Sequence, residues 1–422
     1  MSEDTYPALA PTPRRLGPYR RLLRNRNFSL LWLGQLVSFM GDRLHQIALG
    51  VMVLAFTGSP LAVGLTFALT SVPNLLFAPL AGTLVDRWPH RRSMIAADLI
   101  RAGLVLPLPW LIGINLIWIY IITFAIATVS LLFRPAKQAA IPLVVDEGDL
   151  MAANSATTTS ETMADLLGYP LAGVLVASLL GHFELIFALD SATYLVSAVC
   201  IGLMSIPAVE RVQSAISIRG MWTNMAEGWN FLRHHRYLFP NTVVSVMAQV
   251  AIGCEIALGL VYAEQALSRG LIGYPENYAF LMTAIGVGSL LGGIVLGLVG
   301  DRYRKGLLAA LGFAAFGLGM VAVGFITEPL LAIAAFFFIG VVNMVFLIPN
   351  ITLFQEQTPP EMMGRVFSIR MALVFGVMTA SMAVCGAAAE FVPAGVVFVA
   401  TGLIALAAGI IGLAWPAVRE AR

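Results

Sequence analysis

Acidic residues set inside long apolar runs are the side chains here best placed to do chemistry. Asp42 stands in Gly41-Asp42-Arg43-Leu44-His45-Gln46 and Glu255 in Gly253-Cys254-Glu255, each far from any polar loop. A charge at the centre of a bilayer costs about 2.5–3.5 kcal/mol on insertion scales, so it needs a reason. A carboxyl group moved out of water holds its proton more tightly, which lets it load and release one near neutral pH. Asp42, Glu255 or both are therefore expected to carry a coupling proton, with Asp165, one turn after Glu161, as a third candidate. A fixed ion pair of Asp42 with Arg43 or a neighbour is the competing reading. Glu255 has no cation nearby in sequence. His45 suits a proton relay or a polar place in a wet cavity. Asp98 and Arg101, spaced i,i+3 on one helix face, read as a structural ion pair.

A second constellation lies at a turn. Gly82-Thr-Leu-Val-Asp86-Arg87-Trp-Pro-His-Arg91-Arg92 joins two apolar runs and returns, degenerate, as Gly297-Leu-Val-Gly-Asp301-Arg302-Tyr-Arg304-Lys305. Asp86 and Asp301 are 215 residues apart, about half the chain. Arg134-Pro135 and Pro349-Asn350 keep nearly the same offset, and Gly41-Asp42 falls opposite Gly253-Cys254-Glu255. Such an internal period identifies two copies of one structural unit.

The elements that must hold these residues are membrane spans. Of 422 residues, 59% are hydrophobic and 11% charged, with a mean hydropathy of +0.86. Soluble domains carry about 25% charge. Runs of about 20 apolar residues fall at 28–56, 60–85, 93–112, 115–134, 153–180, 184–206, 240–266, 277–300, 306–326, 329–356, 366–389 and 393–415. Twelve spans give an all-α membrane protein. With both termini in the cytoplasm, every Lys and Arg except Arg43, Arg101 and Arg269 lies at or near a cytoplasmic segment, as the positive-inside rule requires. The expected layout is a tail at 1–27, six-helix units at 28–206 and 240–415, a linker at 207–239 and a tail at 416–422. Within the linker, Met221–Phe239 has the apolar pattern of a helix lying on the membrane face and ends in Arg233-His-His-Arg236.

Several function classes drop out. A Gly-x-x-x-x-Gly-Lys-Ser/Thr nucleotide loop is missing, as are a metal-ligand cluster and a nucleophile constellation, so no enzyme activity, cofactor or metal is expected. Cys200, Cys254 and Cys385, an odd number inside apolar runs, give no disulfide framework. The net charge of +2 belongs to the loops and indicates no nucleic-acid partner. Gly288 with Gly292, and Gly293 with Gly297, are small-xxx-small pairs for close helix packing.

Twelve spans in two similar halves, with Gly-x-x-x-Asp-Arg-x-x-Arg-Arg between spans two and three, resemble the major facilitator superfamily over nearly the whole chain. Leu33-Gly34-Gln35-Leu-Val-Ser38, Asp98-Leu-Ile-Arg101, Phe133-Arg134-Pro135-Ala-Lys137-Gln138 and Gly364-Arg365-Val-Phe look like the branch with macrolide-efflux proteins and the enterobactin exporter. The resemblance implies two six-helix bundles around a central cavity, lined by spans 1, 4, 7 and 10, that rock about a fixed site. It implies export driven by proton antiport. The span-five antiporter signature is only partly met, because Tyr169 interrupts Gly168 and Pro170. It also implies a gate at the cytoplasmic turns, formed by Gly82, Asp86, Arg87, Arg91, Arg92, Asp301 and Arg302, with Asp86 reaching span eleven near Arg370.

Gln35, Ser38, Arg43, His45, Phe124, Thr128, Asn343 and Phe346 are the expected cavity lining. That mix suits an amphipathic small molecule better than a sugar, which wants dense hydrogen bonding. The expected protein is a monomeric proton-coupled exporter of drug-like or siderophore-like compounds in the cytoplasmic (inner) membrane. Its partners are the substrate, protons and the bilayer. A lysophospholipid translocase of the same fold and a non-transporting receptor or scaffold are the alternatives.

Overall fold

The structure is a computed structural model and describes residues 18–85, 88–205, 218–267, 273–299 and 302–421. Short α1 (Pro18–Arg24) precedes α2 (Arg26–Thr57), α3 (Pro60–Val85), α4 (His90–Val105), α5 (Leu108–Leu111) and α6 (Leu116–Val144). Next come α7 (Leu150–Met163), a π turn at Ala164–Gly168, α8 (Tyr169–Ser178) and α9 (Phe183–Gly202). After α10 (Ile218–His234) follow α11 (Leu238–Leu267), α12 (Glu276–Val299), α13 (Lys305–Val323), α14 (Pro329–Gln357), α15 (Met363–Ala388), α16 (Ala394–Ala414) and short α17 (Pro416–Arg419). Among the described residues, eleven helices are long and apolar enough to cross a membrane. The span expected at 153–180 is instead a helical path over residues 150–178 interrupted by the π turn.

The expected boundaries hold closely except in the fourth span, which the sequence ends at Arg134-Pro135. Helix α6 runs on through Pro135 and Pro142 to Val144. Proline in a membrane helix is tolerated when neighbouring groups satisfy the freed carbonyls.

The internal repeat reappears as packing. In the first half α2 packs on α9 and α8, α3 on α6, and α4 on α6 and α9. In the second, α11 packs on α16 and α15, α12 on α14, and α13 on α14 and α16. These are the same pairings, helix for helix. The contacts between halves are also paired: α3 meets α15, and α12 meets α8. The result is two six-helix bundles related by a pseudo-twofold axis.

Turns 88–89, 145–149, 302–304 and 358–362 gather at the basic end, and 58–59, 179–182 and 389–393 at the opposite end. The halves meet closely toward the opposite end. A Cβ on Gly64 of α3 would stand 2.6 Å from the Met382 carbonyl of α15, and one on Gly173 of α8 would stand 2.2 Å from Ala279 Cβ of α12. The Glu390 carboxylate accepts hydrogen bonds from the Ser59 hydroxyl and from the Leu61 N–H at 3.0 Å. It thereby caps a helix of the other half, where N–H groups lack intrahelical partners.

Helix α10 docks on the second bundle. Glu227 pairs with Arg365 of α15, and Leu232 is buried with Leu238, Leu353, Phe354 and Val366. Of the two proposed glycine pairs, Gly288 and Gly292 abut the α14 backbone at Phe337 and Val341. The second pair is corrected: Gly297 has nothing within 4 Å and Gly293 faces open space near Met344.

Candidate functional site

Helix α2 brings Gln35, Ser38, Asp42, Arg43 and His45 to one lobe of a cavity, about 470 Å³ in volume and lined wholly by the first half. The i,i+3/i+4 recurrence of these residues aims them together. A second lobe of about 850 Å³ lies between the halves and shares Arg43 and Asp165 with the first. Its first-half wall is polar, with Gln46, Thr162 and Tyr169. Its second-half wall is Glu255 among Ile256, Met282, Ile285, Ile294, Met344 and Ile348.

The first lobe is a set of closed polar pairs. Asp42 accepts a hydrogen bond of 2.7 Å from the Tyr194 hydroxyl. Of the competing reading, an ion pair of Asp42 with Arg43 or a neighbour, the pair with Arg43 does not form, because successive helix residues point about 100° apart. Arg43 Nε instead meets Asp165 Oδ1 at 2.5 Å and its guanidinium lies 5.3 Å from the centre of the Tyr169 ring. Lys137 pairs with Glu161 at 3.0 Å, and His45 Nδ1 with Asp190 Oδ2 at 2.8 Å. Asp98 and Arg101 form the expected ion pair, with the guanidinium between the rings of Phe133 and Tyr194 at 4.8 and 4.5 Å.

The π turn positions the junction of the two lobes. Pro170 has no N–H to return to the Leu166 carbonyl, which favours a locally widened turn. A Cβ on Gly168 would stand 3.2 Å from Arg43 Cγ, so glycine leaves room for the arginine to cross. Tyr169, which departs from the antiport signature, donates to Gln46 Oε1 at 2.9 Å and walls the second lobe. Gly168-x-Pro170 was the sequence signal for this junction, and its pairing with Arg43 was not legible there.

Glu255 differs from the other acids. It is 7% exposed, and among the described residues no hydrogen-bond or ion-pair partner reaches its carboxylate.

Four expected lining residues are corrected. The cavity face of α6 is Thr123, Ile126, Ala127, Ser130, Leu131 and Arg134. Phe124 and Thr128 fall off that face by helical phase: Phe124 packs edge-on to Phe77 at 6.2 Å, and the Thr128 hydroxyl turns back to the Phe124 carbonyl at 2.7 Å. Phe346 is buried in the second bundle, stacked on Phe313 at 4.7 Å. Asn343 lines neither lobe, where Met344 and Ile348 represent α14.

Of the expected gate residues, Asp86, Arg87 and Asp301 lie outside the described residues, as does the surrounding of Gly82 in α3. Arg91 donates to the Ile201 carbonyl at 3.1 Å and to that of Gly202, tying α4 to the C-terminus of α9. Arg92 and Arg302 are exposed. Arg370 is buried, donates to Asn350 Oδ1 at 2.9 Å and lies 4.3 Å from the Phe354 ring centre. Asn350 in turn donates to Ser245 at 2.7 Å.

Comparison with known proteins agrees with this architecture. Macrolide efflux protein A of Streptococcus pyogenes is 27% identical over 354 residues, covering 81% of this chain and 84% of that protein. Macrolide efflux protein A of Enterococcus faecalis is 26% identical over 310 residues, 71% of this chain and 92% of its own. The crystal structure of the nucleoside transporter NupG superposes with a TM-score of 0.71 over 92% of this chain and 98% of its own, at 10% identity, a likeness of fold alone. The family model described as Major Facilitator Superfamily matches residues 31–383. A repeated six-helix bundle enclosing a polar cavity, in a chain matched over most of its length by that model, is a multi-pass membrane transporter and not an enzyme: this chain belongs to the Major Facilitator Superfamily.

Proposed function

We propose that this transporter exports amphipathic small molecules across the cytoplasmic membrane in exchange for protons, by alternating access. The observation that carries the reading is a two-lobed cavity, one lobe within the first half and the other between the halves, that holds carboxylates beneath a close contact of the halves at one end. The macrolide-efflux relatives support the direction. The Lys and Arg distribution supports a cytoplasmic basic end and cytoplasmic termini. On that orientation the contacts through Gly64, Gly173 and Glu390 close the outer side, and the conformation is inward-facing. The halves at 28–206 and 240–415 then rock about the linker 207–239 as a monomer, needing no cofactor and no nucleic acid. The gate reading of Gly82, Asp86, Arg87, Arg91, Arg92, Asp301, Arg302 and Arg370 belongs to the same cycle.

The lysophospholipid reading needs a free cation in the cavity for a headgroup. Arg43, its sequence candidate, is committed to Asp165, so a headgroup would have to turn to Arg134 on the wall of the first lobe.

The test is proton movement in inside-out vesicles held at a fixed pH gradient, with macrolides, cationic dyes, catechol siderophores and lysolipids added singly. One compound class is expected to dissipate the gradient, and to do so less in Glu255→Gln or Asp42→Asn. Intact gradients with every class, alongside lysolipid flipping without a gradient, would overturn the reading in favour of the translocase.

A further inference from the structure

The inter-half lobe has an uneven charge balance. Its charged residues are Arg43, Asp165 and Glu255. Arg43 and Asp165 neutralise one another at 2.5 Å. Glu255 remains, more than nine-tenths buried and without a protein partner among the described residues, on the wall of a space of about 850 Å³. The other titratable groups within its field are the phenols Tyr169 from α8 and Tyr278 from α12 and the adjacent Cys254 thiol. Helices α12 and α14 present Met282, Ile285, Leu290, Ile294, Met344 and Ile348 to the lobe, together with Ser289, whose hydroxyl donates to the Gly340 carbonyl at 3.2 Å. A buried carboxylate is stable only when protonated or when a counter-ion arrives.

We infer that the lobe is a binding site for an amphipathic monovalent cation, whose ammonium-type head pairs with Glu255 and whose apolar body lies on the methionine and isoleucine wall. The site takes one positive charge, because only one carboxylate is unpaired. An anion of the same shape meets an uncompensated carboxylate and is rejected. A proton and the cation compete for one group, so the occupant of Glu255 is one or the other. This rests on the exporter reading and adds the substrate class to it.

The experiment is equilibrium binding of tetraphenylphosphonium to the purified full chain in nanodiscs, with tetraphenylborate as a probe of nearly the same shape and opposite charge. The phosphonium charge is permanent, so any pH dependence comes from the protein. Tetraphenylphosphonium is expected to bind, to weaken as pH falls, and to exclude tetraphenylborate as a competitor. Glu255→Gln should lose affinity on the order of tenfold or more and abolish the pH dependence. Glu255→Asp should keep the pH dependence, and an unaltered thermal midpoint in both variants excludes misfolding as the cause. Absence of phosphonium binding to the unaltered chain overturns the inference. So does equal binding of tetraphenylborate, or an unchanged affinity in Glu255→Gln. Binding needs no gradient and no transport, so it is independent of the vesicle result. If only electroneutral compounds move protons and the phosphonium does not bind, the exporter reading stands and this inference falls.

Discussion

Gly64→Ala should open the closed end of the transporter. The new Cβ would stand 2.6 Å from the Met382 carbonyl and close to Gly386 of α15, both backbone, so nothing can swing aside. Ordinary contact begins near 3.4 Å, and overpacking of this kind costs about 1–3 kcal/mol. The cost falls only on the conformation in which α3 touches α15. Alanine also favours the helix over glycine by about 1 kcal/mol, but it does so in both conformations and cancels. The closed-to-open ratio should therefore fall by roughly 5–150-fold. Gly173→Ala, 2.2 Å from Ala279 Cβ on the symmetry-related contact of α8 with α12, should act in the same direction. The two sites share no partner and should add. Spin labels at Leu180 and Phe391, both exposed at that end on opposite halves, with Cys200, Cys254 and Cys385 replaced by serine, report the separation. The long-distance population should grow in each variant and most in the double variant. Gly103→Ala is the control, since nothing lies within 4 Å of its Cβ. A distance distribution unchanged by Gly64→Ala, or changed equally by Gly103→Ala, would refute the closure argument.

Further outcomes follow from the polar contacts. Glu390→Ala removes the carboxylate that caps α3 from the other half and should shift the same spin-label distances in the same sense, by the ~0.5–2 kcal/mol a cap contributes. Asp98→Ala should destabilise the first bundle by about 3–5 kcal/mol, because it leaves Arg101 buried and unpaired; thermal unfolding in detergent would show a lowered midpoint. At the basic end, the hydrogen bond from Arg21 holds the Asp149 carboxyl below the usual carboxylate range. A depressed folded pKa means the pair stabilises above the ordinary aspartate value of about 3.9 and is lost as pH falls through the lower folded value. Asp149→Asn should thus lower the unfolding midpoint at pH 7 and converge with the parent under acid conditions, and a constant difference at all pH would contradict this.

Span positions were legible because bilayer thickness fixes their length, and the repeat was legible because each half solves the same packing problem. Which acid meets which cation was not. Asp42 and Arg43 are adjacent in sequence, yet the helix turns them apart, and Arg43 reaches Asp165 across the gap left by Gly168. Phe124, Thr128 and Phe346 were misplaced for a related reason. In α14, apolar on every side, hydropathy has no preferred face, so its phase toward the cavity is set by tertiary packing alone, whereas the polar stripe of Thr123, Ser130 and Arg134 marks the cavity face of α6. The broken path at Ala164–Gly168 had a visible cause in Gly168-Tyr169-Pro170, whereas the trans-half cap by Glu390 depends on how the bundles meet, which no local pattern encodes.

The two bundles share a scaffold but not a polar interior, and that asymmetry ranks the candidate coupling groups. A proton shifts a conformational equilibrium only through a group whose surroundings differ between the states. Asp42 with Tyr194, His45 with Asp190, Arg43 with Asp165 and Lys137 with Glu161 all lie within the first half. Rigid rocking of one bundle against the other carries these pairs along as units, and of them Arg43 with Asp165 also borders the inter-half lobe. Glu255 belongs to the second half and looks across the lobe at Gln46, Thr162 and Tyr169 of the first. Its surroundings are made by the gap between the bundles, so opening or closing that gap alters its hydration directly. On the proton-antiport proposal, the paired charges of the first half are the fixed wall and the lone carboxylate of the second half is the better-placed coupling group.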